Sequence, residues 1–189
     1  MKGFFSQYTY SMIKMYVNQF AISIFGFVLA MATMKSENKA LTIGVSAFAV
    51  VFYLFLIYTM TWEIGAKDKI SVDVGKKPYR PHTGALMSLI ANIPNYIIAI
   101  LYLIGYPNRA VSKLCSGARL ASLITEGMYL GIIRKIFING TLLHDFWWTY
   151  FIITIPAILT SWLAYYLGHR NFRFFAGLGK AKPDAANKK

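Results

Sequence analysis

The 189-residue chain is 57% hydrophobic and only 14% charged, which leaves too few charged residues to cover the outside of a water-soluble domain. Its net charge of +13 does not indicate nucleic-acid binding, because the cationic residues lie between long apolar segments and not on one folded basic face. We therefore predict a single integral membrane domain, residues 1–189, whose partner is membrane lipid and not nucleic acid.

Four apolar segments define the predicted fold. None contains Lys, Arg, Asp or Glu, and each has the roughly 20 residues that a helix needs to cross a hydrocarbon layer of about 30 Å. The segments are Met15–Met34, Ala40–Trp62, Gly84–Tyr106 and Phe146–Gly168. They predict an all-α, polytopic membrane bundle with four transmembrane helices.

Residues 1–14 precede the first predicted span. Lys2 and Lys14 are spread apart and no small-residue cleavage site follows. We therefore expect a retained amphipathic lead-in at the membrane interface and not a cleaved signal peptide. The next connection, Lys35–Lys39, is short and predicts an antiparallel hairpin of the first two spans.

The second connection, Glu63–Thr83, contains Gly65, Gly75, Pro78 and Pro81, which predict a segment that continues neither flanking helix. Its basic residues should face lipid headgroups, as should those that follow the last span. The predicted headgroup contacts are Lys76, Lys77, Arg80, Arg170 and Arg173.

The third span contains the most site-like feature inside the predicted membrane region. Asn92 and Asn95 flank Pro94, which removes a backbone donor, predicts a kink and frees a carbonyl in the preceding turn. In one interpretation Asn92, Pro94 and Asn95 line the path of a solute or ion. In the other, the two amides are hydrogen-bond partners that stabilise a kinked bundle.

Residues 107–145 are too many for a plain turn and too charged for a span. A polar stripe at helical spacing predicts either an amphipathic helix on the outer face or a re-entrant helical pair that returns to the same side. A single crossing here would give five spans and export the Lys-rich tail, which we consider less favourable.

The same segment contains an outer polar cluster, in which Glu126 and His144 are a hypothesis for a proton relay or a weak metal site. Its members are Arg119, Glu126, His144 and Asp145. The simplest role for Asp145 is to cap the start of the fourth span. No third ligand is spaced to complete a metal site with Glu126 and His144, so we predict no metal.

The distribution of Lys and Arg predicts the orientation. With four spans, the lead-in, the second connection and the tail share one side, and they carry thirteen of the 20 cationic residues. This side should be the cytoplasm, so we expect both termini to be cytoplasmic and the location to be a plasma (inner) membrane. The last residues, 181–189, are small, polar and charged, which predicts a disordered tail.

The sequence contains no catalytic signature such as a Gly-x-Ser-x-Gly elbow, a His-Glu-x-x-His motif or a phosphate-binding Gly-rich loop. The residues therefore give no support for enzyme activity, and we expect no cofactor. The leading hypothesis is a non-catalytic component of small-solute or ion transport, as a homo-oligomer or with a partner. The alternative is an accessory, assembly or immunity-type subunit that packs against a larger membrane complex. A third hypothesis, a lipid-modifying enzyme, requires Glu126 and His144 to converge.

Overall fold

The computed structural model describes residues 2–36, 38–106 and 113–172. The predicted disordered tail, 181–189, and Arg173 lie outside the described residues. The described chain is all-α, as predicted, with one short two-stranded hairpin and no closed sheet.

The chain begins with two long helices, and the α-helices that follow them in the described residues are shorter. In chain order the α-helices of the described residues are α1 (Lys2–Met34), α2 (Lys39–Asp73), α3 (Thr83–Ala91), α4 (Ile93–Gly105), α5 (Lys113–Thr125), α6 (Leu130–Lys135), α7 (Thr149–Ile152) and α8 (Ile155–His169). Single 3-10 turns lie at Gly127–Tyr129 and Leu143–Asp145. The strands β1 (Phe137–Ile138) and β2 (Thr141–Leu142) pair in antiparallel register, with Phe137 opposite Leu142.

Among the described residues, three stretches are long and apolar enough to cross a membrane: Gly3–Met34, Lys39–Asp73 and Thr149–His169. A fourth results if α3 and α4 form one span, although they are bent by 53° at their break. The predicted third span is thus two helices and not one, because Pro94 lies in the first turn of α4, where its missing N–H is tolerated. The kink predicted at Pro94 is confirmed.

The central helix, α2, extends further than predicted. Its buried positions recur every three or four residues, which is the spacing of one helix face. They are Thr42, Ser46, Ala49, Tyr53, Ile57, Thr61, Gly65 and Asp68. The expectation that Glu63–Thr83 continues neither helix is therefore wrong for its first half: the buried face continues past Trp62, and α2 ends only at Asp73.

The first two helices form the predicted antiparallel hairpin. At the turn, the side chain of Asn38 caps α2, and the Thr42 hydroxyl donates a hydrogen bond to the carbonyl of Thr33 in α1. At the opposite end, Tyr8 of α1 is hydrogen-bonded to Asp68 of α2. The start of α1 and the end of α2 therefore lie at the same end of the bundle.

Residues 2–14 form the beginning of α1. The helix is continuous from Lys2 to Met34 and already buries Tyr8 and Met12 in the core. The predicted lead-in is therefore the first part of a longer helix, which packs Tyr8 and Met12 in the bundle and leaves Phe5, Tyr10 and Ile13 exposed.

The segment between α4 and α7 folds back into the bundle. α5 packs along α4 and begins beside its end, where Gly105 contacts Cys115. At the far end of α5, the backbone N–H of Gly127 donates to the Ser23 hydroxyl of α1 at 2.5 Å. A Cβ at residue 127 would collide with Phe27 and with the Ser23 carbonyl, so only glycine allows this close approach.

The chain then returns along α6. The backbone N–H of Gly131 donates to the Ser46 hydroxyl of α2 at 3.0 Å. Arg134, near the end of α6, lies beside Met34, and the ammonium of Lys39 lies 5.6 Å above the ring of Phe137. The segment therefore enters the bundle and returns to the end that carries the turn between α1 and α2.

Candidate functional site

The two asparagines of the predicted path lie together at the break between α3 and α4. Both are almost fully buried. The Asn92 amide donates to the carbonyl of Ser88 at 2.8 Å, and the Asn95 amide donates to the side-chain oxygen of Asn92 at 2.9 Å. The side chains of Asn92 and Asn95 thus form hydrogen bonds across the break beside Pro94. The side-chain oxygen of Asn95 is buried without a hydrogen-bond partner among the described residues.

Three members of the predicted outer polar cluster come together. The Arg119 guanidinium pairs with the Asp145 carboxylate at 2.7 Å, and His144 Nε2 lies 3.7 Å from the same carboxylate oxygen. The hydroxyls of Tyr102 and Tyr150 both donate to the backbone carbonyl of His144. This arrangement joins α4, α5 and α7 around the 3-10 turn that carries His144 and Asp145.

Asp145 does not cap the following helix, so that expectation is wrong. α7 begins at Thr149, and its cap residue Trp148 makes no side-chain capping hydrogen bond. The Asp145 side chain points instead to Arg119, because a half-buried ion pair is more favourable than a cap four residues away from the helix start.

Glu126, the fourth member of the predicted cluster, lies apart from the other three. It is 4% exposed, and one of its carboxylate oxygens has no hydrogen-bond partner among the described residues. The described part of the chain also provides it with no ion pair. Its electrostatic neighbours are the phenols of Tyr53 in α2 and of Tyr129 in the 3-10 turn. The Tyr129 hydroxyl is likewise buried without a described partner.

We call Glu126, Tyr53 and Tyr129 the Glu126 cluster. Buried polar atoms in folded proteins are nearly always hydrogen-bonded to protein or to bound water, so two unsatisfied atoms in one cluster are unusual. The phenol of Tyr150 interacts electrostatically with both Arg119 and Glu126.

Sequence reasoning missed a second polar centre, at the opposite end of the bundle. One oxygen of the buried Asp68 carboxylate accepts hydrogen bonds from Lys77 at 2.7 Å and from Gln7 at 3.3 Å. The other accepts from Tyr165 at 3.0 Å and from Tyr8. We call these five residues the Asp68 cluster. It ties together α1, α2, α8 and the connection before α3.

Of the predicted headgroup contacts, Lys77 is thus held by Asp68 and is only partly exposed. Lys76, Arg80 and Arg170 are exposed. The guanidinium of Arg170 lies 4.6 Å from the ring of Tyr166, which fixes its position at the end of α8.

Within the described ranges, no group of three or more His, Cys, Asp or Glu side chains is placed to hold a metal ion. Comparisons of the chain with family models, with curated proteins and with solved structures found no match. The class that the fold defines is an all-α protein with three helices, or four with the bent pair, that are able to cross a membrane.

Proposed function

We propose that the protein is a four-span plasma (inner) membrane protein with cytoplasmic termini, and that it is a component of small-solute or ion transport in which Glu126 exchanges a proton for a monovalent cation. The observation that carries the proposal is a buried carboxyl group with an unsatisfied oxygen and no cationic partner in the described bundle. An ionisable side chain in such surroundings is expensive and is most often retained for function.

The even number of spans is supported by the Asp68 cluster. Tyr8 near the start of α1 and Tyr165 near the end of α8 both donate hydrogen bonds to Asp68 near the end of α2. The first helix, α1, therefore begins at the same end of the bundle at which the last helix, α8, ends. This arrangement is required if both termini lie on one side of the membrane. The excess of Lys and Arg in the connections at this end favours the cytoplasm.

The depth of Glu126 follows from its neighbour on α1. Gly127 is bonded to Ser23, which lies eight residues after Met15 and eleven before Met34. At 1.5 Å per residue, these separations are about 12 Å and about 16 Å along the helix. If Met15–Met34 crosses the membrane, Glu126 lies near mid-depth, and residues 113–135 form the re-entrant pair.

The chemistry follows from the cost of an unpaired charge in apolar surroundings. Without a cation, the favourable form of Glu126 is the neutral carboxylic acid. A cation that enters the cluster stabilises the carboxylate, and the proton leaves as the cation binds, so that one charge replaces another. The hydroxyls of Tyr53 and Tyr129 supply neutral oxygen ligands. Because proton and cation occupy the same carboxyl group in turn, their movements are coupled.

The test uses purified protein in vesicles that contain a pH-sensitive dye, with Na⁺ or K⁺ gradients imposed across the membrane. The wild type should move protons against the direction of the cation, and Glu126→Gln should lose this coupling. Asp73→Asn is the matched control, because it removes an exposed carboxylate at the end of α2. Equal coupled flux in a folded Glu126→Gln protein would remove the basis of the proposal.

A further inference from the structure

We propose that a cavity at the Asp68 end of the bundle binds the phosphate group of an anionic ligand. The cavity has a volume of about 200 Å³ and lies between the start of α1, the end of α2, the start of α3 and the end of α8. This volume exceeds several-fold the roughly 30 Å³ share of one water molecule. Its polar wall includes Lys77, which belongs to the Asp68 cluster, and the neighbouring residues Arg80 and Thr83.

The free charge of this wall is positive. The Asp68 side chain is 7% exposed, and both of its oxygens are already occupied by donors from four residues. Asp68 is therefore a positioning group that holds Lys77 at the cavity. The exposed guanidinium of Arg80 makes no ion pair with any described residue. Two cationic side chains and one saturated carboxylate thus line the cavity.

The start of α3 positions Arg80 in this wall. α3 begins at Thr83, which lines the cavity. The N–H and the hydroxyl of Thr83 both donate to the backbone carbonyl of Arg80, at 3.3 Å and 2.9 Å, and so hold the Arg80 backbone beside the cavity. Phosphate binds readily where arginine and lysine meet, because the guanidinium fork matches its oxygens and the ammonium adds a second positive charge.

This phosphate has two sources with the same chemistry, a lipid headgroup or free inorganic phosphate. The cavity is lined by residues other than those of the Glu126 cluster, so the inference does not rest on the proposed transport function.

The experiment measures thermal unfolding of the full chain in a neutral detergent while three ligands are titrated separately: dioctanoyl phosphatidic acid, inorganic phosphate and dioctanoylglycerol. The variants are Arg80→Gln, the charge-retaining Arg80→Lys, and Arg170→Gln as a control that removes an exposed arginine outside the cavity. A ligand that binds the folded state raises the unfolding temperature. We expect phosphatidic acid to stabilise the wild type and Arg170→Gln, with at least about tenfold weaker apparent affinity in Arg80→Gln.

Stabilisation by phosphatidic acid alone assigns the site to a lipid headgroup, and equal stabilisation by inorganic phosphate assigns it to free phosphate. Arg80→Lys should keep part of the affinity, which separates loss of recognition from loss of folding. The inference is overturned if dioctanoylglycerol stabilises as well as phosphatidic acid, if Arg80→Gln titrates like the wild type, or if no phosphate ligand changes the unfolding temperature.

Discussion

Replacing Asp68 with asparagine should destabilise the bundle more than any other single change of charge in α2. The side chain keeps its shape, but one oxygen that accepts two hydrogen bonds becomes an NH₂ group that faces the same donors. Hydrogen bonds to a charged group contribute about 1.5–3 kcal/mol each, so losing two of them should lower the free energy of unfolding by about 3–6 kcal/mol. Because the Lys77 side chain is 30% exposed, water can solvate its ammonium group in the variant. We therefore expect the free energy of unfolding to fall by about 3 kcal/mol.

The assay is equilibrium unfolding in mixed micelles. Asp73→Asn on the same helix is the control, and as an exposed substitution it should change the free energy of unfolding by no more than about 0.5 kcal/mol. Tyr165→Phe removes one donor to the same carboxylate and should be markedly less than additive with Asp68→Asn, because the two substitutions share an interaction. If Asp68→Asn were no more destabilising than Asp73→Asn, the reasoning that four donors stabilise this carboxylate would be refuted.

Three further predictions concern packing, the polar break and topology. Gly127→Ala should cost about 1–3 kcal/mol of unfolding free energy because its Cβ collides with α1, whereas Gly117→Ala, with open space around it, should stabilise by about 0.5–1 kcal/mol. If Asn95 lines the transport path, Asn95→Leu should lower cation flux in reconstituted vesicles with no loss of folded protein, and unchanged flux would exclude it from the path. In a cysteine-free background, Lys76→Cys and Asn38→Cys should react with membrane-impermeant thiol reagents from opposite sides, and labelling from one side would rule out four spans.

The apolar runs and the proline predicted much of the fold. Long charge-free segments are a property of the local sequence, and so is the break at Pro94, because a proline in the interior of a continuous helix would remove a backbone hydrogen bond, whereas the first turn of a new helix tolerates it. The Asp68 cluster was missed because the apolar run ends at Trp62, and the charges that follow suggested a loop. The signal that could have found it is the spacing of Thr61, Gly65 and Asp68, which continues the buried face of α2.

The candidate site was predicted only in part, since its neighbours come from distant parts of the chain. Glu126 and Arg119 share α5 or its end, and their spacing suggested one cluster. In the structure Arg119 turns to Asp145, while Glu126 lies near Tyr53 of α2. No local sequence pattern specifies that Arg119 and Glu126 have different neighbours. This difference depends on the close approach of Gly127 to α1, which only tertiary packing determines.

The central claim is that Glu126 holds a proton until a cation replaces it. Infrared difference spectra of vesicle-reconstituted wild type and Glu126→Gln, recorded at neutral pH with Na⁺ or K⁺ added in steps, report this proton directly. The account predicts a protonated-carboxyl band that is present only in the wild type and decreases as the cation is added. A wild type without that band, or with a band that no cation changes, would contradict it.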